Sequence, residues 1–280
     1  MNPMTRRYTS LVIAIASALG AATTAQAAGD GGSLLDDRFM VSLGTFLLNT
    51  KTEIAVSGST GNSGTVVDLD RDLGLKDADR FRVDATWRFA PRHKVRALYF
   101  DTNQSNTRTL ERSLTIGDTV YPVNASLTAE NSTTIVELAY EYVFRKKENY
   151  ELTGSVGIHR VEFDFAVTGR GNVGAQTGQV RRESAVAQAP LPVIGLRGLW
   201  EFSPSWYLDG QAQYFALSFD GFDGDITDLR IGVTRMFGKR FGVGVGYNEF
   251  ITDLGLDRDR FSGDLKWRYS GAQIFVTASF

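Results

Sequence analysis

Along much of the chain, apolar and polar side chains alternate one by one. In FRVDATWRF, Phe81, Val83, Ala85, Trp87 and Phe89 share one side, with Arg82, Asp84, Thr86 and Arg88 on the other. TTIVELAYEYVF sets Val136, Leu138, Tyr140, Tyr142 and Phe144 against Glu137, Ala139 and Glu141. WYLDGQAQYFAL opposes Leu208, Gly210 and Ala212 to Asp209, Gln211 and Gln213, and FGVGVGYN opposes Phe241, Val243, Val245 and Tyr247 to Gly242, Gly244 and Gly246. DLKWRY opposes Leu265, Trp267 and Tyr269 to Asp264, Lys266 and Arg268. A period of two puts successive side chains on opposite faces of a strand. The pattern predicts ten strands, near 37–56, 79–90, 93–105, 130–145, 149–167, 184–202, 205–219, 226–237, 240–252 and 259–280.

Alternation alone describes any half-buried antiparallel sheet, a soluble periplasmic β protein included. Aromatic placement separates the two readings. Trp87, Phe89, Tyr142, Phe144, Trp200, Phe202, Trp206, Phe237 and Phe241 lie beside the short turns APRHK, RKKEN, SPS and GK, and Trp267 on the last predicted strand is expected to face outward with them. A soluble sandwich buries its aromatics mid-strand, whereas a membrane barrel gathers them in a girdle at the interface. The short turns also alternate with long polar connections near 57–78, 102–132, 168–185, 219–227 and 252–260. Together these predict an all-β fold: a closed, antiparallel, up-and-down transmembrane barrel of about ten strands, eight or twelve being the alternatives.

Two tracts repeat: DRDLGLKDADRFRVDATWRF at 70–89 and ITDLGLDRDRFSGDLKWRY at 251–269. Both are expected to be an external D-L-G-L loop feeding a descending strand, the two strands flanking the first once the sheet closes. The apolar side changes parity between Ile158 and Val161, which predicts a bulge. A second bulge at 270–272 is expected to turn Ile274, Val276, Ala278 and Phe280 toward lipid.

The N-terminus sets the compartment. Arg6 and Arg7 precede the apolar run LVIAIASALGAA, and Ala25 and Ala27 form an A-x-A site. That is a secretory signal over 1–27, followed by a short periplasmic segment, 28–36, and the barrel, 37–280. Removing two arginines from the 30 basic residues leaves 28 against 32 acidic ones. So mild a balance argues against nucleic acid as a partner. The chain has no cysteine, which excludes disulfides and thiolate chemistry.

The inward-facing charges are the candidate site: Arg82, Asp84, Arg88, Glu137, Glu141, Arg197, Glu201, Asp209, Asp228, Arg230, Asp264, Lys266 and Arg268. Their mixed signs suit a salt-bridged, largely plugged lumen. The alternative is a narrow channel for small or hydrophobic solutes, opening where Gly242, Gly244 and Gly246 leave space; a second alternative is an outer-membrane hydrolase. His159 could reach Glu137 or Glu141, while His93 falls in a periplasmic turn, and no nucleophile–base–orienter set accompanies either. Asp68, Asp70 and Asp72 approach a calcium-loop spacing, but Gly74 falls one place late. They are expected to form a solvated acidic loop; neither metal nor cofactor is expected. Arg181 and Arg182 could meet lipopolysaccharide phosphates.

The ending QIFVTASF resembles the C-terminal signal of bacterial outer-membrane β-barrels, and the chain after residue 27 is similar in pattern to the broad OmpA/OmpW-like group of small barrels. That resemblance implies an integral outer-membrane location, contact with outer-membrane lipid and lipopolysaccharide, and recognition of Phe280 by the barrel-assembly machinery. The chain is expected to depart from the group's usual eight strands, and no peptidoglycan-binding domain is expected after the barrel.

Overall fold

The computed structural model describes residues 33–56, 65–75, 79–173, 176–219, 222–258 and 261–280. The expected export signal lies outside them. The elements are β1 (Phe39–Val56), β2 (Val67–Asp68), β3 (Asp79–Ala90), β4 (His93–Thr109), β5 (Leu114–Ile116), β6 (Thr119–Tyr121), β7 (Ser126–Lys146), β8 (Tyr150–Val173), β9 (Gln176–Ser203), β10 (Trp206–Phe219), β11 (Phe222–Phe237), β12 (Phe241–Arg258) and β13 (Phe261–Ser279). All but β2, β5 and β6 are long, and these ten pair antiparallel in the order β1-β3-β4-β7-β8-β9-β10-β11-β12-β13. β1 also pairs with β13, from Met40↔Ser279 to Val56↔Gly263, so the sheet closes. Closure satisfies the backbone groups that hydrocarbon could not hydrate.

Turns at one end are short: Ala90 to His93, Lys146 to Tyr150, Ser203 to Trp206 and Phe237 to Phe241. Ser205 follows Pro204 with φ 66° and Gly238 has φ 69°, the left-handed conformation a tight reversal needs. Above these turns the outer wall is an apolar belt. Leu138, Val156, Ile194, Leu196, Ile231, Val245, Ile274 and Val276 all point outward and are exposed. The belt is about nine residues tall on each strand, the span a tilted strand needs to cross hydrocarbon. Its lower edge is aromatic: Trp87, Phe89, Tyr142, Phe144, Trp200, Phe202, Phe237 and Phe241 are exposed there, and Trp206 is half-buried beneath Arg235. His93 starts β4 in this girdle, its Nδ1 2.6 Å from the Tyr140 hydroxyl.

Above the belt the strands continue as a paired collar. The expected long loops at 102–132 and 168–185 are mostly strand, because a ladder needs only backbone groups and these persist where side chains become polar.

In the collar the polarity of the wall inverts. On β8, Arg160, Glu162 and Asp164 point outward while Val161, Phe163 and Phe165 are buried inside. Pairing runs unbroken from Leu127↔Gly169 to Val143↔Thr153, so the expected bulge between Ile158 and Val161 is absent. The side chains kept their parity, and it is the solvent on each side that changed. The same holds on β13, whose pairing with β1 and β12 is continuous through 270–272. Trp267 and Tyr269 are therefore interior and Lys266 and Arg268 exterior, the reverse of the sequence expectation. The two D-L-G-L tracts also differ. Residues 72–75 form a turn, with Gly74 at φ 70°, whereas 253–256 lie within β12, paired on both sides.

Candidate functional site

The lumen is filled in layers, beginning at the mouth beside the short turns. Leu34 and Leu35 are buried there against Tyr207 and Met236. The Lys146 ammonium donates to Leu35 O at 2.9 Å and to Asp36 at 2.7 Å, and Tyr207 Oη donates to Ser33 Oγ at 3.2 Å. The two chain ends meet nearby: Phe280 O accepts from the Arg38 and Phe39 amides, and Phe280 N–H donates to Phe39 O.

Above this stopper lie the charges. Glu151 takes Arg88 at 2.9 Å and Lys94 at 2.7 Å. Lys94 also reaches Glu141 at 3.3 Å, Arg96 bridges Glu141 at 2.9 Å and Glu137, and Arg197 approaches Glu141 at 3.8 Å. His159 Nε2 lies 3.0 Å from Glu137. Arg82 grips Asp84 at 2.7 and 3.1 Å, and Arg230 lies 3.5 Å from Asp84 and 3.6 Å from Asp209. Asn248 donates to Asp228 at 2.6 Å while accepting from Arg82 at 3.1 Å. Gln213 donates to Glu137 at 2.7 Å and accepts at 2.8 Å from Gln211, which lies 3.5 Å from Asp228 and so joins the two groups. Arg82, Arg88, Lys94, Arg96, Arg197 and Arg230 thus face Asp84, Glu137, Glu141, Glu151, Asp209 and Asp228, a neutral set. Neutrality and multiple hydrogen bonds are what make buried ions tolerable.

Of the charges expected in the lumen, Arg82, Asp84, Arg88, Glu137, Glu141, Arg197, Asp209, Asp228 and Arg230 are here. Glu201 is half-buried at the rim, accepting the Ser205 amide at 3.2 Å. Lys266 and Arg268 stand on the outer collar, Arg268 3.9 Å from Glu249. The Asp264 side chain lies outside the described residues. Lys94, Arg96 and Glu151 were not anticipated. Their signal was the K-x-R spacing against Val95, Ala97 and Tyr99, blurred because Leu98 and Phe100 share the inward side.

The glycine run that suggested an opening is instead the floor beneath a ring. Gly44 and Gly244 both lie directly across from Phe275, whose ring occupies the space a methyl at Gly244 would take. The Arg230 guanidinium sits 5.5 Å above that ring. Higher still is an aromatic layer. Phe250 and Tyr269 stack at 5.2 Å, Phe100 and Tyr269 at 5.3 Å, and Trp267 packs at 5.3 Å from Phe250.

The upper mouth is covered by a lid. β2 pairs with β1, the β5–β6 hairpin reaches β8 at Val120↔Asn172, and Leu69, Leu73, Leu75, Leu114, Ile116 and Tyr121 are buried in one core with the aromatic layer. The acidic tract ties this lid together. Asp68 Oδ1 accepts the amides of Asp70 and Arg71 at 3.1 and 2.9 Å, and Asp72 accepts the Asp68 amide and binds Arg112. Burial pushes the Asp72 carboxyl up, but hydrogen bonds from Arg112 and Arg71 outweigh it and hold it near about 2. A depressed carboxylate contributes stability above its ordinary 3.8, and loses it as the pH falls through the folded value. The expected result is a lid that resists pepsin at about pH 3 and is cut within 65–75 below about pH 2, with Asp72→Asn cut at both. Equal cutting of both proteins at the higher pH would remove this role.

Comparison with known proteins adds the fold and no more. No protein-family model matches the chain, and no curated protein sequence does. The outer membrane protease OmpT from Escherichia coli matches with TM-score 0.58 at 13% identity, over 88% of this chain and 98% of that one. Ail, the attachment invasion locus protein of Yersinia pestis, gives 0.33 at 11% identity over 85% and 98%. A Pseudomonas aeruginosa FadL homologue gives 0.36 at 10% over 88% and 90%. At 13% identity the OmpT match shows the fold alone, that of an outer-membrane β-barrel.

Proposed function

We propose that this barrel is a closed, non-conducting body of the outer membrane, exported by the segment 1–27, that serves envelope structure or surface interaction. The observation that carries this reading is the continuous filling of the lumen, from Leu34 and Leu35 through the neutral charge layers and the aromatic layer to the lid. The narrow-channel reading is disfavoured by the Phe275 ring, which lies on the glycine face proposed as the opening. A hydrolytic centre at His159 is disfavoured by its burial between Glu137 and Phe250, away from any substrate. The apolar belt would contact acyl chains, the collar lipopolysaccharide, and Phe280 on the closing strand the assembly machinery. Purified protein in planar bilayers is expected to give a silent baseline. Steady unitary openings would overturn the closed reading.

A further inference from the structure

Beyond Ile194 the wall of the barrel is split. β9 and β10 pair from Trp206↔Ser203 to Tyr214↔Ile194 and no further, although β9 extends back to Gln176 and β10 on to Phe219. Glu201 N–H donates to Asn149 O on the β8 side, and Met236 N–H donates to Ser205 O where β11 meets β10. Hydrogen-bonding direction alternates along an antiparallel strand. Odd-numbered residues of β9 therefore bond to β8, and even-numbered residues of β9 and β10 face each other. The next two donors due on β9 are residues 192 and 190. Both are proline and have no N–H. The ladder stops where its donors run out.

The split leaves a tall hairpin beside a short one. β8 and β9 stay paired to Val173↔Gln176, whereas the β10–β11 hairpin ends at Phe219↔Phe222. Tyr214, eight residues past Trp206, stands at the top of the apolar belt, so the rising edge of β9 is in water and not in acyl chains. Along it, Val180, Arg182, Ser184, Val186 and Gln188 direct their backbone N–H and C=O groups away from β8. Among the described residues no strand lies opposite them.

The geometry points to a strand-addition site: an extended segment of a partner protein outside the membrane pairs with β9 from Val180 to Gln188. A row of main-chain donors and acceptors at strand spacing is complementary to another extended backbone. Lipid and saccharide offer no such row. A second copy in the same bilayer fits poorly, since rotation about the membrane normal sets the two β9 edges parallel with inner and outer faces exchanged. Outward side chains add selectivity: Val180, 69% exposed, favours an apolar neighbour, and Arg182, which already reaches Glu130 at 3.4 Å, has guanidinium donors left for a polar one. This inference rests on the surface-interaction reading and names its partner class.

The test uses the full chain in lipid nanodiscs and a synthetic peptide copying residues 159–171, the strand that already pairs with the other edge of β9. Without peptide, the amides of Val180, Arg182 and Ser184 are expected to exchange with solvent far faster than their odd-numbered neighbours. Peptide should slow them by about ten-fold or more. Ser184→Pro removes an edge donor without touching the β8 ladder, so it should abolish that protection while leaving heat-modifiable gel mobility unchanged. No slowing by peptide, or slowing that survives Ser184→Pro, overturns the site. Protection already present without peptide means the chain covers its own edge, and protection that grows with protein concentration means a second copy; both overturn it too. A conducting barrel that still binds peptide removes only the closed-lumen reading, and a silent one that ignores peptide removes only this one.

Discussion

Arg96→Leu is expected to destabilise the barrel by about 3–5 kcal/mol, because it leaves two carboxylates buried without their central partner. Arg96 is almost fully buried, bridging Glu137 and Glu141 from β4 to β7, and Glu137 also carries His159 and Gln213. Truncation therefore strands charge where almost no side-chain surface is accessible to solvent. Arg160→Ala is the matched control. Its pair with Glu162 is on the exposed outer collar, where such pairs contribute about 0–1 kcal/mol. The measurement is the urea midpoint for loss of the folded, faster-migrating gel band in detergent. Combining Arg96→Leu with Glu137→Gln should recover part of the loss, since removing a pair costs less than orphaning one member. If Arg96→Leu and Arg160→Ala unfold at the same midpoint, the charges are hydrated and the lumen is not sealed.

How much of this was legible depends on which solvent each half of a strand meets. Within the membrane the two sides are acyl chain and filled lumen, and alternation reads true: Val136, Leu138, Tyr140 and Tyr142 go out while Glu137 and Glu141 go in. The aromatic ends of strands likewise mark the lower interface. Above the belt the outside is water and the inside is closed by the lid, so the polarity pattern reverses while the backbone runs on unchanged. Read as a change of direction, that reversal suggests bulges near 158 and 270 that the ladders do not contain. The lid itself left little trace. β2, β5 and β6 span two or three residues each, too few for any period to show, and their stability comes from Leu69, Leu73, Leu114 and Tyr121 packing on side chains remote in sequence. The repeated tracts teach the same lesson, since TWRF and KWRY are near twins that face opposite ways.

That opposition gives the second large effect, and it separates geometry from composition. Trp267→Ala is expected to cost about 3–5 kcal/mol, the usual penalty for emptying a large aromatic site in a packed interior. The ring is 2% exposed, within packing distance of Phe100, Phe250 and Tyr269, and nothing nearby can collapse into its place without dismantling the stack. Trp87→Ala should cost about 1 kcal/mol, because its ring faces lipid at the girdle, stacked only on Phe39 and tilted against Phe89, and acyl chains refill the gap. Fluorescence offers a readout independent of stability. In vesicles of brominated lipid, a chain whose only tryptophan is Trp87 should be strongly quenched, and one whose only tryptophan is Trp267 should keep its emission. Equal quenching of the two would put Trp267 on the lipid face, breaking the aromatic layer on which both the lid and the closed lumen depend.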